Sequence, residues 1–447
     1  MHLTKQRNLT KEQKEAVGLL SIGTFLEYFD LMLYVHMAVL LNELFFPKTD
    51  PFTASLLSAF SFSITFIFRP FGALIFGYIG DNYGRKFTVI ITTIFMAVTC
   101  IIMAISPTYA EIGITASVII TLCRIVQGIS SMGEKIGAEI YLTETFKPPL
   151  QYRVVAFIPT FSCIGTMFAL LIASIMTSHG FNWRYAFVVG AVIAVVGFIA
   201  RSSLRESADF ADAKRRIQTI TQEFNRDMKK IKDNPIIQEN INQKTALALF
   251  LMQCVHPVSM YVLYIYSADI LKHSFGFTPE EVIHRNLVIS IVELLVCVIV
   301  CYLSDKIYPL KIIKFFLIST FVVFVISVFF LNHITPSLLF YFQLSVAIFS
   351  PTVMPGTPIF LKYFPIFKRF SAAAFLYATS RAMMYVVTSF GLVYLTKYFG
   401  YIGILVIVMP VLLGYLWGLN HFEKLEIKAG NYPQKSFVGK KTFLNRY

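Results

Sequence analysis

The sequence predicts an all-α membrane protein in which twelve transmembrane helices form two six-helix bundles. Three observations predict it. Hydrophobic residues make up 56% of the 447-residue chain and charged residues only 14%, against about 25% charged in a typical soluble protein. Apolar runs of roughly 20 residues recur from end to end, each long enough to cross a ~30 Å hydrocarbon core as a helix. One long charged stretch, 205–243, divides those runs six and six. The runs are continuously apolar and lack the alternation of a membrane barrel.

The spans are expected near 17–44, 53–77, 87–106, 112–142, 153–178, 184–204, 244–271, 280–303, 310–331, 336–361, 370–396 and 399–421. The N-terminal segment is basic and polar, but the apolar run after it is too long for a signal peptide and shows no clear cleavage site. It is therefore expected to remain as the first helix. With the N-terminus in the cytoplasm, Arg85, Lys86, Lys147, Arg153, Lys306, Lys311, Lys314, Lys362, Lys368 and Arg369 all fall inside. The outward loops hold only Lys48, Arg184, Lys272 and Lys397. This bias puts both termini in the cytoplasm and accounts for the net charge of +14 without nucleic acid.

The expected organisation is a first bundle over 1–204, a helical cytoplasmic linker over 205–243, a second bundle over 244–421 and a basic cytoplasmic tail over 422–447. That tail has no heptad pattern and can touch anionic lipid. Cys100, Cys123, Cys163, Cys254, Cys297 and Cys301 all fall within apolar runs. They suggest neither a disulfide framework nor a metal site. No cofactor is implied. An enzyme is not expected either, since no nucleophile–base pair or phosphate-binding loop is present.

"GYIGDNYGRK" (Gly77 to Lys86) follows the second span and "CYLSDKIYPLK" (Cys301 to Lys311) the eighth, with Asp81 and Asp305 in the same place. Internal repeats of this kind mark secondary transporters. The first copy resembles the loop signature of the major facilitator superfamily. "FLEYFDLMLY", "FIFRPFGALIFGYIGD", "RIVQGISSMGEKIGAEIYLTE", "NWRYAF" and "LRESADF" narrow the likeness to its metabolite:proton symporter family, which includes proline/betaine, α-ketoglutarate and citrate permeases. The resemblance implies the major facilitator fold and a proton-coupled importer of a small zwitterion such as proline or betaine. A di- or tricarboxylate symporter and a solute sensor derived from a transporter are the alternatives. It further implies a bacterial inner membrane protein, expected as a monomer, with a small solute, protons and lipid as its partners. The chain departs from the family at Lys135, where an aromatic is usual, and at Tyr308 and Pro309, which stand where Gly84 and Arg85 stand in the first copy. Glu293 and Arg381 also occupy positions where uncharged residues are expected.

The buried charges carry the functional reading. Glu27, Asp30 and Tyr34 fall on one face of the first helix, and a charge at the bilayer centre costs at least ~2.5 kcal/mol. The acids therefore form either a structural ion pair or a solute and proton site. On the fourth helix, Arg124, Gln127, Ser131, Glu134 and Lys135 project within about a third of the circumference. In the facilitator fold the first and fourth helices line the cavity, so Arg124 is expected to contact Glu27 or Asp30. Arg69 lies about 18 Å along its helix from Asp81; beside Pro70, it is a second candidate to grip a carboxylate bidentately. Lys135 and Arg381 are further cavity cations and favour the di- or tricarboxylate alternative. Glu293 and Arg381 reach similar depths and are expected to pair or to face one cavity.

Gly80 and Gly84 allow a tight turn, Asp81 suits a helix N-terminus, and Arg85 can pair with Glu144. The resemblance implies that this group latches the two bundles. "SPTVMPGTPIF" (Ser350 to Phe360) predicts a broken tenth helix. His256, Tyr261, Tyr264 and Tyr266 bring polar aromatics to the seventh, with His256 expected to be packed.

Overall fold

The computed structural model describes residues 9–433 except 84, 132–133, 179–181, 203–239, 328 and 331–332. Among the described residues there is no strand. Helices satisfy every internal backbone group within the segment, which a hydrocarbon surrounding demands. In the first half the passes are Lys11–Phe45, Pro51–Ile67 continued by Arg69–Tyr83, Arg85–Ile105, Ile114–Ser130 continued by Glu134–Thr145, Leu150–Ser178 and Arg184–Ser202. The seventh runs from Gln243 to Phe275. After it come Pro279–Leu303, Pro309–Ser327, Pro336–Phe349 continued by Thr357–Leu361, Ile366–Phe399 and Ile404–Lys428.

Nine stretches among the described residues are long and apolar enough to cross a membrane, and the last of them, Lys368–Lys428, is 61 residues long and holds two helices. Two shorter apolar helices, Ile91–Ile105 and Arg184–Ile193, complete the twelve passes. Each expected span meets a helix, but several helices outrun their spans while the ninth, ending at Ser327, falls short. The first begins at Lys11 and the last continues to Lys428, into the segment expected as a tail. Hydropathy marks the part of a helix that sits in oil, whereas caps decide where it ends. Thr10 supplies such a cap, accepting from the Gln13 N–H while the Gln13 side chain accepts from Thr10. The expected linker falls mostly on 203–239 and the end of the tail on 434–447, both outside the described residues.

Breaks in the passes follow local chemistry. The second pass is interrupted at Phe68, two residues before Pro70, whose ring removes an N–H and crowds the preceding turn. The tenth stops at Phe349 and resumes at Met354, as the prolines predict. Its freed carbonyls are taken up by protein: Thr320 Oγ1 donates to Phe349, and the Tyr415 hydroxyl donates to Thr352 at 3.0 Å. At the start of the second pass, Asp50 accepts from the Thr53 hydroxyl and from the Thr53 and Phe52 N–H groups. These donors, the Thr53 hydroxyl first, hold its carboxyl below the usual range.

Packing within the first half sets the first pass on the fifth, the third on the sixth and the second on the fourth. In the second half the seventh lies on the twelfth and the eighth on the tenth. Two seams join the halves, fifth against eighth and second against eleventh. Exchanging the halves converts one seam into the other, which is the internal repeat expressed in packing. The second and fourth passes touch backbone to backbone. A Cβ on Gly128 would lie 1.9 Å from the Thr65 carbonyl oxygen, and one on Gly72 would lie 2.1 Å from that of Ile129. Only glycine allows this approach, the usual device of close helix pairs in membranes.

Candidate functional site

That glycine crossing places the two central arginines. Arg69 begins the second segment of the second pass, one turn from Gly72, and Arg124 lies one turn before Gly128. Both are buried, at 2% and 1% exposure, and their guanidinium groups are close enough to repel one another. Arg124 Nη1 donates to Gln127 Oε1 at 2.9 Å, and its guanidinium sits 4.1 Å from the centre of the Tyr34 ring. Tyr34 is itself bonded to Ser61 at 3.0 Å. Arg69 lies 4.7 Å from the Phe66 ring. Among the described residues, the Nε and Nη2 groups of both arginines have no hydrogen-bond partner. Phe66 and Phe62 continue into a buried aromatic group with Tyr385 and Tyr261, at ring separations of 4.0 to 5.2 Å.

The expected ion pair between Arg124 and Glu27 or Asp30 is not formed in this conformation. Arg124 meets Tyr34 and Gln127 instead. The three first-pass residues do share a face, as the spacing requires. The offset between the first and fourth passes sets Tyr34, rather than either acid, opposite the guanidinium. Asp30 is buried and reaches the neighbourhood of Cys100 and Gly190.

A second cationic group spans the two halves. Lys135 stands 5.2 Å from the Tyr28 ring and 5.7 Å from the Tyr377 ring, and the two tyrosine hydroxyls bond at 2.7 Å across the seam. Arg381 stacks 3.5 Å from the centre of Tyr377 and donates to Gln253 at 3.3 Å. Glu139, buried and within electrostatic reach of both Lys135 and Arg381, is the acid that the sequence reading missed. Its signal was present, four residues after Lys135 on the same helix face. His256 was expected to be packed. It is instead exposed, within electrostatic reach of Arg381, Lys135 and Arg69.

The structure does not bring Glu293 and Arg381 together. Glu293 instead accepts from the Tyr264 hydroxyl at 2.6 Å. The side chains of Glu134, Gly80, Asp81, Gly84 and Arg85 lie outside the described residues. Glu144, expected to meet Arg85, accepts from Arg369 of the eleventh pass at 2.6 Å. At the same end Arg153 pairs with Asp305, the counterpart of Asp81. At the opposite end Glu43 pairs with Lys272 at 2.7 Å, and Ser55 donates to Asp269 at 3.1 Å. All four contacts join one half to the other, so the halves are tied together at both ends. A cavity of about 470 Å³ lies at the second of these ends, lined among others by Asn42, Glu43, Ser58, Asp269, Lys272 and His273.

This arrangement can hold an anionic group at Arg69 and Arg124. Comparison with known proteins agrees with that architecture. The family model for the Major Facilitator Superfamily matches residues 20–380. The proline/betaine transporter of Salmonella typhimurium is 28% identical over 301 residues, which cover 66% of this chain and 60% of that relative. The inner membrane metabolite transport protein YhjE of Escherichia coli is 29% identical over 376 residues, covering 80% and 82% of the two chains. Among solved structures, the proton:xylose symporter XylE bound to 6-bromo-6-deoxy-D-glucose superposes with a TM-score of 0.67 over 94% of this chain and 96% of that one, at 16% identity. XylE from E. coli in a partially occluded inward-open conformation gives 0.67 over 92% and 97%, at 13% identity. At such identities the likeness is one of fold.

Proposed function

The chain belongs to the Major Facilitator Superfamily and is a transporter rather than an enzyme, and from that premise we propose that it is a proton-coupled importer of a small zwitterion. The solute class is that of proline or betaine, and the mechanism is alternating access between two bundles. One observation carries the reading. Arg69 and Arg124 are buried side by side with unpartnered N–H donors, next to a group of aromatic rings. A buried donor without a partner costs about 1–3 kcal/mol, more when charged, and a solute carboxylate removes that cost. The neighbouring rings suit the alkyl or quaternary ammonium end of the same solute. Glu27 and Asp30, on the helix that carries Tyr34, are the proposed proton carriers. The names of relatives, among them proline/betaine transporters, support the solute class.

A di- or tricarboxylate is the second reading, favoured by Lys135 and Arg381 as two further cations between the bundles. In either case the protein acts as a monomer in a bacterial inner membrane, with both termini in the cytoplasm.

The test is uptake of labelled proline, betaine, α-ketoglutarate and citrate into proteoliposomes at two pH values. Accumulation of proline or betaine driven by a pH gradient is expected. Accumulation of citrate or α-ketoglutarate alone selects the second reading. Binding without accumulation of any of the four would identify a sensor. Glu27→Gln and Asp30→Asn should abolish uphill uptake, with at least one of them retaining solute exchange. Wild-type accumulation ratios in both would remove these acids from the coupling.

A further inference from the structure

The seventh pass leaves α-helical winding over Tyr261–Tyr266, where it forms a π-helical turn. Such turns are rare and concentrate at functional sites, because they shift side chains and release backbone groups. Here side chains take up the carbonyls of the turn. Gln343 donates to Leu263 at 2.8 Å, Asn286 to Tyr264 at 3.4 Å, and Ser267 to Val262 at 2.8 Å. The turn is therefore held in place, and with it Tyr264. The phenol of Tyr264 is buried and donates to Glu293 Oε2 of the eighth pass at 2.6 Å. Among the described residues Glu293 forms no ion pair.

Across the bundle boundary stands His36 of the first pass, 2% exposed, with neither ring nitrogen hydrogen-bonded among the described residues. Its ring meets that of Tyr264 edge-on, with centroids 5.1 Å apart. The other titratable groups facing Tyr264 and Glu293 are the thiols of Cys163 and Cys297, which approach each other to 3.1 Å across the fifth–eighth seam. Lys135 acts on Cys297 from further away. A neutral imidazole carries one donor and one acceptor, and leaving both unmade in a buried site is costly.

We propose that Glu293 binds a proton and that Tyr264 reports its charge to His36 on the opposite bundle. When Glu293 is ionised, the Tyr264 hydroxyl is held within its own bundle as a donor to the carboxylate, the arrangement in this structure. When a proton adds to a Glu293 carboxylate oxygen, the site loses its charge and the charge-assisted bond weakens. The Tyr264 side chain then shifts to bring its hydroxyl, which here lies beyond bonding distance of both imidazole nitrogens, to the acceptor on His36, keeping its own proton. One hydrogen bond thus changes from a bond within a bundle to a bond between bundles, so protonation alters how firmly the two halves adhere. His36 is a positioning residue in this scheme. The inference rests on the proposed proton coupling and adds a site in the second half to the acids of the first.

The experiment uses the full chain in proteoliposomes with labelled proline, or α-ketoglutarate should the wild type accumulate that instead, with and without an imposed pH gradient. Glu293→Gln, which fixes the uncharged state, should lower gradient-driven accumulation at least tenfold while solute exchange continues. Tyr264→Phe and His36→Phe keep the ring packing and remove the hydroxyl or the nitrogens. Both should lower the proton-to-solute ratio, and Tyr264→Phe should shift the pH profile of uptake upward, since it removes the donor that stabilises the carboxylate. Infrared difference spectra between acid and alkaline buffers give a readout independent of solute. They should contain a carboxylic-acid C=O band in the wild type that is lost in Glu293→Gln. Wild-type accumulation in Glu293→Gln, or an unchanged infrared band, overturns the inference and leaves proton coupling standing. A wild-type protein that accumulates solute equally with and without the gradient ends both.

Discussion

Gly128→Ala tests whether the helix crossing organises the arginine site. The new Cβ would lie 1.9 Å from the Thr65 carbonyl oxygen. A comfortable C···O approach is about 3.3 Å, so the second and fourth passes must part by roughly 1.4 Å at this point. Gaps of about 0.5–1 Å already forfeit a quarter to a half of the dispersion energy of the atoms that face them. Overpacked positions usually cost about 1–3 kcal/mol, and with backbone on the far side the upper part of that range is expected. Arg124, one turn away, moves with its helix relative to Arg69. If both grip one carboxylate, losing one charge-assisted bond of about 1.5–3 kcal/mol lowers affinity roughly 10- to 100-fold. Gly18→Ala is the control, because nothing lies within 4 Å of its new methyl group. It should be neutral or gain about 0.5–1 kcal/mol from reduced backbone freedom. Thermal unfolding of the purified protein in detergent and equilibrium solute binding are the assays. Equal stability and affinity in Gly128→Ala and Gly18→Ala would refute the reasoning.

Other expectations concern the charged groups. Arg69→Gln and Arg124→Gln should each weaken solute binding by at least tenfold with little loss of stability, since each deletes a buried charge that has unpartnered donors; unchanged dissociation constants would place the solute elsewhere. Glu426, fully buried, accepts from Tyr308 at 2.6 Å and from both Tyr363 and Lys362 at 2.5 Å. Glu426→Gln should cost about 2–3 kcal/mol in thermal stability, and a value near zero would mean that the cluster is not an anchor. Glu144→Gln combined with Asp305→Asn removes both ion pairs at one end of the seam. Partly exposed pairs contribute up to about 1 kcal/mol each. Distance measurements between labels on opposite halves should then show a shift of roughly 2- to 30-fold toward opening at that end, and an unshifted distribution would contradict a latch.

Local chemistry made part of this protein legible from its sequence. The number of passes follows from hydropathy, because a long apolar helix is the economical way to place a backbone in oil. The breaks near Pro70 and at Pro351 and Pro355 follow from a missing N–H and a rigid ring. Helical spacing alone put Glu27, Asp30 and Tyr34 on one face, and likewise Arg124 and Gln127. Which member of the first set meets Arg124 depends on the axial offset of two helices. That offset is fixed by packing contacts, among them Gly165 against the Phe25 carbonyl and Gly128 against that of Thr65. A shift of one helical turn, 5.4 Å, exchanges an acid for a tyrosine as the partner of the guanidinium. The π turn that aims Tyr264 at Glu293, the isolation of His36 and the choice of Arg369 by Glu144 are also products of tertiary contact. Each depends on residues dozens to hundreds of positions away, and no periodicity within one helix encodes where another helix will stand.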